Sequence, residues 1–306
     1  MKLSRILSIL LALLYFSTIS YAQNPPPGSD SLETLQRALL LAREHRYSEA
    51  DAAIKNTPPP GNPAQKIAFY RLRAAIASGL RHFDRAAEDM ETAAKLAPAD
   101  NDLRIAAEMA RLQADVETHA NPATTLKRLR NETLPPQQAV DIHLRIAEIL
   151  SRANLFEEAS TDFEAASNLA PDRADLLFNL ALARFRAGQL DAASASAERA
   201  KALEDSASLE SLIGDIQEKR GDALDAVHSY QAAVTLEPNE ESYRLALALE
   251  LLHHQTFDGA LVVLNQASEL FPKSVRLKIL LSLTYYFVDR SADAIQTLLD
   301  AVQIDP

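Results

Sequence analysis

Two stretches of the chain are nearly the same: residues 155–171 read LFEEASTDFEAASNLAP, and residues 82–98 read HFDRAAEDMETAAKLAP. Both have an aromatic residue in second place, alanines at matching places and the ending LAP. Self-similarity of this kind is the sequence signature of a repeat protein, in which each copy is one structural unit. The period of the repeat is therefore the first property to establish.

Prolines mark the ends of the repeats, and the last two intervals between them are 34 residues each. The prolines in question are Pro98, Pro171, Pro238, Pro272 and Pro306. Small residues recur at fixed distances before them: Ala74, Ala147, Gly214, Ala248 and Ser282, then Ala86, Ala159, Ala226, Ala260 and Ala294, then Ala93, Ala166, Ala233, Ala267 and Ala301. One position is bulky each time, occupied by Met90, Phe163, Tyr230, Leu264 and Leu298. This register is too regular to be chance.

The spacing of these positions predicts a helical hairpin in each unit. Intervals of three, four and seven residues place the marked side chains on one face of a helix. Small residues let two antiparallel helices approach closely, and the bulky residue fills the space between them. The proline stops the second helix, because it fixes φ and lacks an N–H. Gly188 and Gly221 fall at predicted turns, where a positive φ is often needed.

The pattern resembles the tetratricopeptide repeat (TPR), whose period is 34 residues. The resemblance implies an all-α fold, a right-handed α-solenoid of about eight TPR-like hairpins. The predicted units are about 31–64, 67–100, 101–139, 140–173, 174–206, 207–240, 241–274 and 275–306. Two of them depart from the pattern: the first ends early, in the loop NTPPPGNP, and the third contains the longer segment ANPATTLKRLRNETLPP.

The N-terminus has the features of an export signal. Lys2 and Arg5 precede an apolar run of eleven residues, Ile6 to Phe16, which is shorter than the roughly 20 residues of a membrane-spanning helix. We therefore predict a signal peptide over residues 1–22, cleaved before Gln23, with an uncleaved anchor as the alternative. A Pro-rich linker over residues 23–30 follows, and the predicted location is the periplasm or the cell exterior. No integral membrane span is expected after cleavage.

Charge and composition narrow the possible functions. Without Lys2 and Arg5 the chain has 29 basic and 42 acidic residues, a net charge of about −13. Nucleic-acid binding depends on clustered lysine and arginine, so we do not expect it. The chain has no cysteine and seven histidines, none in an HExxH pattern. His253 and His254 are adjacent near a helix end, and adjacent helical residues point about 100° apart, which disfavours a shared metal ion. We predict no metal site, no cofactor and no catalytic residue.

In the resembling family, the first helices of the units line a concave groove that binds peptides or helices of partner proteins. The matching groove positions here are Leu245, Leu249, Leu252, Ile279, Leu283, Tyr286, Phe178, Leu182 and Phe185, with Arg186 beside them. Other positions on this side are polar, including Glu148, Asp215 and Glu218. The apolar side chains of this groove could bind a protein partner, be buried by the protein's own packing, or form the interface of a homodimer.

These observations predict a non-catalytic scaffold or adaptor that binds a peptide or helix, with a role in envelope assembly or secretion. Two alternatives remain open: a structural protein that assembles with itself, and an enzyme using the acidic part of the groove. Loss of turnover in Glu148→Gln or Asp215→Asn would favour the enzyme.

Overall fold

The computed structural model describes residues 29–305, with side chains from residue 33 onward. The predicted signal peptide, most of the predicted linker and Pro306 lie outside the described residues. Within them the protein has sixteen α-helices and no strand. The helices pack as consecutive hairpins, so the prediction of an all-α fold built from eight helical hairpins is confirmed.

The chain divides between Pro135 and Pro136 into two compact units. The first unit contains three hairpins: α1 (Ser29–Arg43) with α2 (Tyr47–Ile54), α3 (Pro63–Gly79) with α4 (Phe83–Leu96), and α5 (Asn101–Glu117) with α6 (Ala123–Arg130). The helices α2 and α6 have only eight residues each. These short helices belong to the two units whose sequence departs from the repeat.

The second unit contains five hairpins of nearly uniform size. They are α7 (Pro136–Arg152) with α8 (Phe156–Leu169), α9 (Ala174–Arg186) with α10 (Leu190–Leu203), α11 (Ala207–Arg220) with α12 (Ala223–Leu236), α13 (Glu241–His253) with α14 (Phe257–Leu270), and α15 (Val275–Phe287) with α16 (Ser291–Ile304). The helices α8, α12 and α14 each end two residues before a repeat proline, and those prolines are exposed.

Each hairpin turn contains one residue in the left-handed region. Gly188 and Gly221 have φ values of 75° and 86°, and the other six turns use His45, Arg81, His119, Asn154, Gln255 and Asp289. The next N–H donates to the carbonyl five residues earlier, as from Asp222 to Gln217 at 2.9 Å. This bond is the Schellman arrangement that ends a helix by satisfying one of its last carbonyls.

The small residues of the repeat lie where two helices meet. Gly214 shows why their size matters, because a Cβ built on it would lie 2.8 Å from the ring of Tyr230 on the partner helix. The alanines at the three recurring small positions of the repeat are buried. They are Ala74, Ala86, Ala93, Ala147, Ala159, Ala166, Ala226, Ala233, Ala248, Ala260, Ala267, Ala294 and Ala301. Close helix packing of this kind lets each hairpin bury apolar surface against its neighbours within a unit.

Candidate interaction surface

The first helices of successive hairpins in the second unit lie on one side of the stack. The helix α9 contacts α11, and α11 contacts α13, whereas no contact of similar extent joins second helices among the described residues of this unit. From α9 to α13 the first helices are therefore closer together than the second helices, and α15 continues this side because it shares a core cluster with α13. We call the side that they form the inner side of the second unit.

An exposed apolar surface covers the last part of this inner side. The side chains of Leu249 on α13 and of Ile279, Leu283 and Tyr286 on α15 are between 44% and 64% exposed. The three α15 residues are spaced four and three apart, which places them along one face of the helix. We call these four residues the apolar face.

Buried residues on the same two helices fix the position of the apolar face. Leu245 of α13 and Leu277 and Leu281 of α15 lie in one core cluster with Leu264 and Ala267 of α14. Leu245, predicted at the groove, is only 8% exposed, so it belongs to this core and a partner could not reach it. The helices therefore hold the apolar face on a well-packed base.

A polar cluster closes one end of the apolar face. The Ser274 hydroxyl donates to Glu241 at 2.7 Å, and the Arg276 guanidinium lies 3.2 Å from the same carboxylate oxygen. Arg276 stands three residues before Ile279, on the same side of α15, and its side chain is largely exposed. No acidic residue occurs in α15. This end of the surface therefore presents the Arg276–Glu241 ion pair beside apolar side chains.

The other predicted groove residues are less accessible. Phe178, Leu182 and Phe185 of α9 are half-buried and pack against the core between α9 and α11. Leu252 is half-buried, and Arg186 is exposed. Their role in binding stays a prediction, and among the predicted groove residues the exposed apolar side chains are Leu249 of α13 and Ile279, Leu283 and Tyr286 of α15.

The middle of the inner side is polar and centres on α11. The Tyr230 hydroxyl donates to Asp215 at 2.8 Å, and Ser229 donates to Gln217 at 2.7 Å. Burial raises the pKa of Asp215, although the Tyr230 hydrogen bond and the charge of Arg186 partly oppose the rise. Burial and the adjacent Asp215 carboxylate also raise the pKa of Tyr230. Asp215 is therefore part of the packing interface between α11 and α12.

The end of α13 differs from the expectation that His253 and His254 diverge. Their ring centroids lie 4.8 Å apart, and the rings are inclined by 33°. His254 is the C-cap residue of α13, with φ of −93° and ψ of 18°, and the side-chain conformations at this helix end bring the two rings together. The buried carboxylate of Glu250 lies beside them, which sequence analysis missed although the ExxHH spacing was visible.

A second apolar stripe lies on the last helix. Ile295, Leu298, Leu299 and Val302 of α16 are all exposed. The prediction that Leu298 fills the space between the two helices is therefore wrong for this hairpin. Ala294 and Ala301 of the same helix are buried, and the Ser282 hydroxyl donates to the carbonyl of Ala294 at 2.9 Å. One side of α16 therefore packs on α15, and the other side carries apolar side chains to solvent.

The fold defines a class of protein, one built from stacked helical hairpins. Among solved structures, the chain is similar to MamA, with 16% identity over 55% of this chain and 93% of that chain and a TM-score of 0.50. It is also similar to MamA from residue 41 onward of Desulfovibrio magneticus RS-1, with 14% identity over 55% and 95% of the two chains and a TM-score of 0.50. At these identities the likeness is one of fold.

YrrB, a TPR protein with an unusual peptide-binding site, is similar with 20% identity, 56% and 93% coverage of the two chains and a TM-score of 0.47. No family model matches the chain, and no curated protein matches it. Among the described helices, none combines the length and apolar character needed to cross a bilayer.

Proposed function

We propose that this protein is an exported, non-catalytic scaffold of the TPR type, which binds an apolar helix or peptide segment of a partner protein. The apolar face of α13 and α15 is the observation that carries the proposal. An exposed contiguous patch of large apolar side chains is typical of an interaction site. The predicted signal in residues 1–22 supports export to the periplasm or the cell exterior, and a role in envelope assembly or secretion would follow from that location.

The apolar face has enough area to contribute to binding. Full burial of one large apolar side chain stabilises by roughly 1.5–3 kcal/mol, and these four side chains are about half exposed. A partner that covers all four would therefore gain several kcal/mol before the entropic cost of association. The surface is already packed on its base, so little further ordering of α13 and α15 opposes binding.

Charge defines the partner further. Lys273 and Arg276 are exposed at the start of α15, and this helix has no acidic residue. The Glu241 carboxylate pairs with Arg276, which leaves the charge of Lys273. A partner segment with apolar side chains on one face and an acidic group at one end would match both features. We therefore expect an amphipathic segment whose acidic end lies near Lys273, because complementary charge fixes the orientation of a bound peptide.

Affinity purification from the native source tests this proposal. The double variant Leu249→Glu, Leu283→Glu should lose a partner that the wild type retains, because each change places a charge in the apolar contact. The matched control is Leu224→Glu, Val262→Glu, which adds the same charges at exposed apolar positions on α12 and α14. Circular dichroism must show that both variants fold. A partner retained equally by both variants, or by neither, would contradict the proposal.

Export has its own test. The mass of the protein purified from its native compartment should correspond to a chain that begins at Gln23. A chain retaining residues 1–22, found in the cytoplasm, would contradict export and leave the test of the apolar face unaffected.

Self-assembly is the second candidate, and the stripe on α16 favours it. Two copies that bury this stripe against each other would form a homodimer, whose mass in light scattering would rise with concentration. Leu299→Glu should then abolish the rise, whereas Leu249→Glu should not. A monomer at all concentrations would remove this candidate.

A further inference from the structure

The last turn of α13 carries a group of potential metal ligands that the proposed function does not use. One ligand atom from each of Glu250, His253 and His254 can be chosen so that all three lie within 4.8 Å of one another. Carboxylate oxygens and imidazole nitrogens together are common ligands of zinc. This group is independent of the apolar face.

The carboxylate of Glu250 is the buried member of this group. Glu250 is only 4% exposed, and its Oε1 atom is buried without a hydrogen bond. The Nε2 atom of His254 lies 3.2 Å from this oxygen but not in hydrogen-bond geometry. An uncompensated carboxylate in a protein interior is costly, so a cation bound beside it would stabilise the fold.

The distances suit a shared ion. Two ligands bonded at about 2.0–2.1 Å to a tetrahedral zinc ion lie roughly 3.3 Å apart. The Glu250 oxygen and the His254 nitrogen already have nearly this separation. His253 lies farther away, but its side chain is exposed and can turn toward the same point by a change of rotamer.

The surroundings add negative charge. The carboxylate of Glu218 on α11 lies 3.8 Å from Nδ1 of His253. The carbonyl end of a helix also carries a partial negative charge, which favours a cation at the end of α13. Within a chain of net charge −11, these groups form a local site for a positive ion.

We propose that Glu250, His253 and His254 form a binding site for a divalent transition-metal ion of the zinc class. The site lies next to the polar middle of the inner side, because Glu218 of α11 is close to His253. Three protein ligands leave at least one coordination position for water or for a group of a bound molecule.

Zinc binding to the purified protein tests the proposal. The protein must be free of a histidine tag, and Zn²⁺ is titrated in competition with a chromophoric chelator at a pH where imidazole is neutral. We expect one tight equivalent in the wild type. The double variant His253→Ala, His254→Ala and the single variant Glu250→Gln should each bind at least about tenfold more weakly.

Three controls keep the result interpretable. His228→Ala removes an exposed histidine from α12 of the same unit and should leave zinc affinity unchanged. Circular dichroism without metal shows whether each variant folds, and the histidine variant should fold because both of its positions are exposed. Zn²⁺ should raise the Tm of the wild type but not that of the double variant. Absence of a tight equivalent in the wild type would overturn the proposal, as would equal weakening by His228→Ala.

Discussion

The middle and the end of the inner side of the second unit differ sharply in chemistry, although the same hairpin builds both. In the middle, α11 presents Asp215 and Glu218, and Asp215 is hydrogen-bonded to the next helix. At the end, α13 and α15 present leucine, isoleucine and tyrosine. Among the residues whose exposure is described, twelve of the eighteen exposed large hydrophobic side chains lie at Leu249 or beyond.

The difference shows which positions the repeat constrains. Gly214, Ala248 and Ser282 occupy the same place in three successive hairpins and are all buried against the second helix. The residues one position later, Asp215, Leu249 and Leu283, are a carboxylate and two leucines. Packing between helices requires a small residue at the first position, whereas the second position lies on the inner side and tolerates both a carboxylate and leucine.

Overpacking the core should lower the stability most. The loss should be similar in α12, in the middle, and in α14, near the end. Ala233 and Ala267 are fully buried at equivalent positions of α12 and α14. Leucine at either position should lower the free energy of unfolding by about 1–3 kcal/mol, because three extra carbons have no space. Urea denaturation measures both variants. An unchanged unfolding free energy in either would mean that the packing positions have been assigned incorrectly.

Removal of the Tyr230 hydroxyl should have a smaller effect, restricted to the polar middle. Tyr230→Phe breaks the hydrogen bond to the partly buried Asp215 and should cost about 1–2 kcal/mol at neutral pH. Tyr243→Phe is the control, since its hydroxyl has no such bond to a buried carboxylate among the contacts described. Urea denaturation at pH 7 should therefore show a larger loss for Tyr230→Phe.

The Tyr230 hydrogen bond should also give the unfolding free energy a dependence on alkaline pH. The pKa of Tyr230 is raised above its ordinary value of 10.0 by burial and by Asp215, with smaller effects from Glu218 and Glu250. A raised folded-state pKa means that the folded protein holds this proton more tightly, so its contribution is complete below pH 10.0 and declines above it. The difference between the wild type and Tyr230→Phe should shrink above pH 10.0. A constant difference would contradict this.

A substitution at a hairpin turn should change stability least. Its effect should differ between the turn after α11, in the middle, and the turn after α13, near the end. Gly221 ends α11 with φ of 86°, whereas Gln255 has the equivalent place after α13 with φ of 57°. Gly221→Ala meets no neighbouring atom, so its cost of about 1 kcal/mol comes from the left-handed backbone alone. Gln255→Gly should relieve the same strain and change stability by less. Thermal unfolding of both variants provides the measurement, and a stabilised Gly221→Ala would refute the explanation.

Much of the fold could be predicted because the repeat is local and periodic. The prolines and alanines defined hairpins in which a small residue such as Gly214 faces a bulky one such as Tyr230, and the structure has this contact. The short helices α2 and α6 were harder to foresee, since the loops around them do not follow the repeat. Six of the eight left-handed turn residues are not glycine, so composition identified only Gly188 and Gly221.

The candidate sites were less predictable, because they depend on which side of each helix meets a neighbour. Leu245 and Leu249 look equivalent in sequence, but only Leu249 is exposed, since α14 and α15 cover Leu245. The Glu250 and histidine group depends on side-chain conformations at the end of α13, which periodicity cannot show. The sequence by itself determined the hairpin, its period and its packing residues, because each follows from spacing along one chain. Tertiary structure alone decided which apolar and charged side chains remain at the surface, because exposure depends on helices distant in sequence.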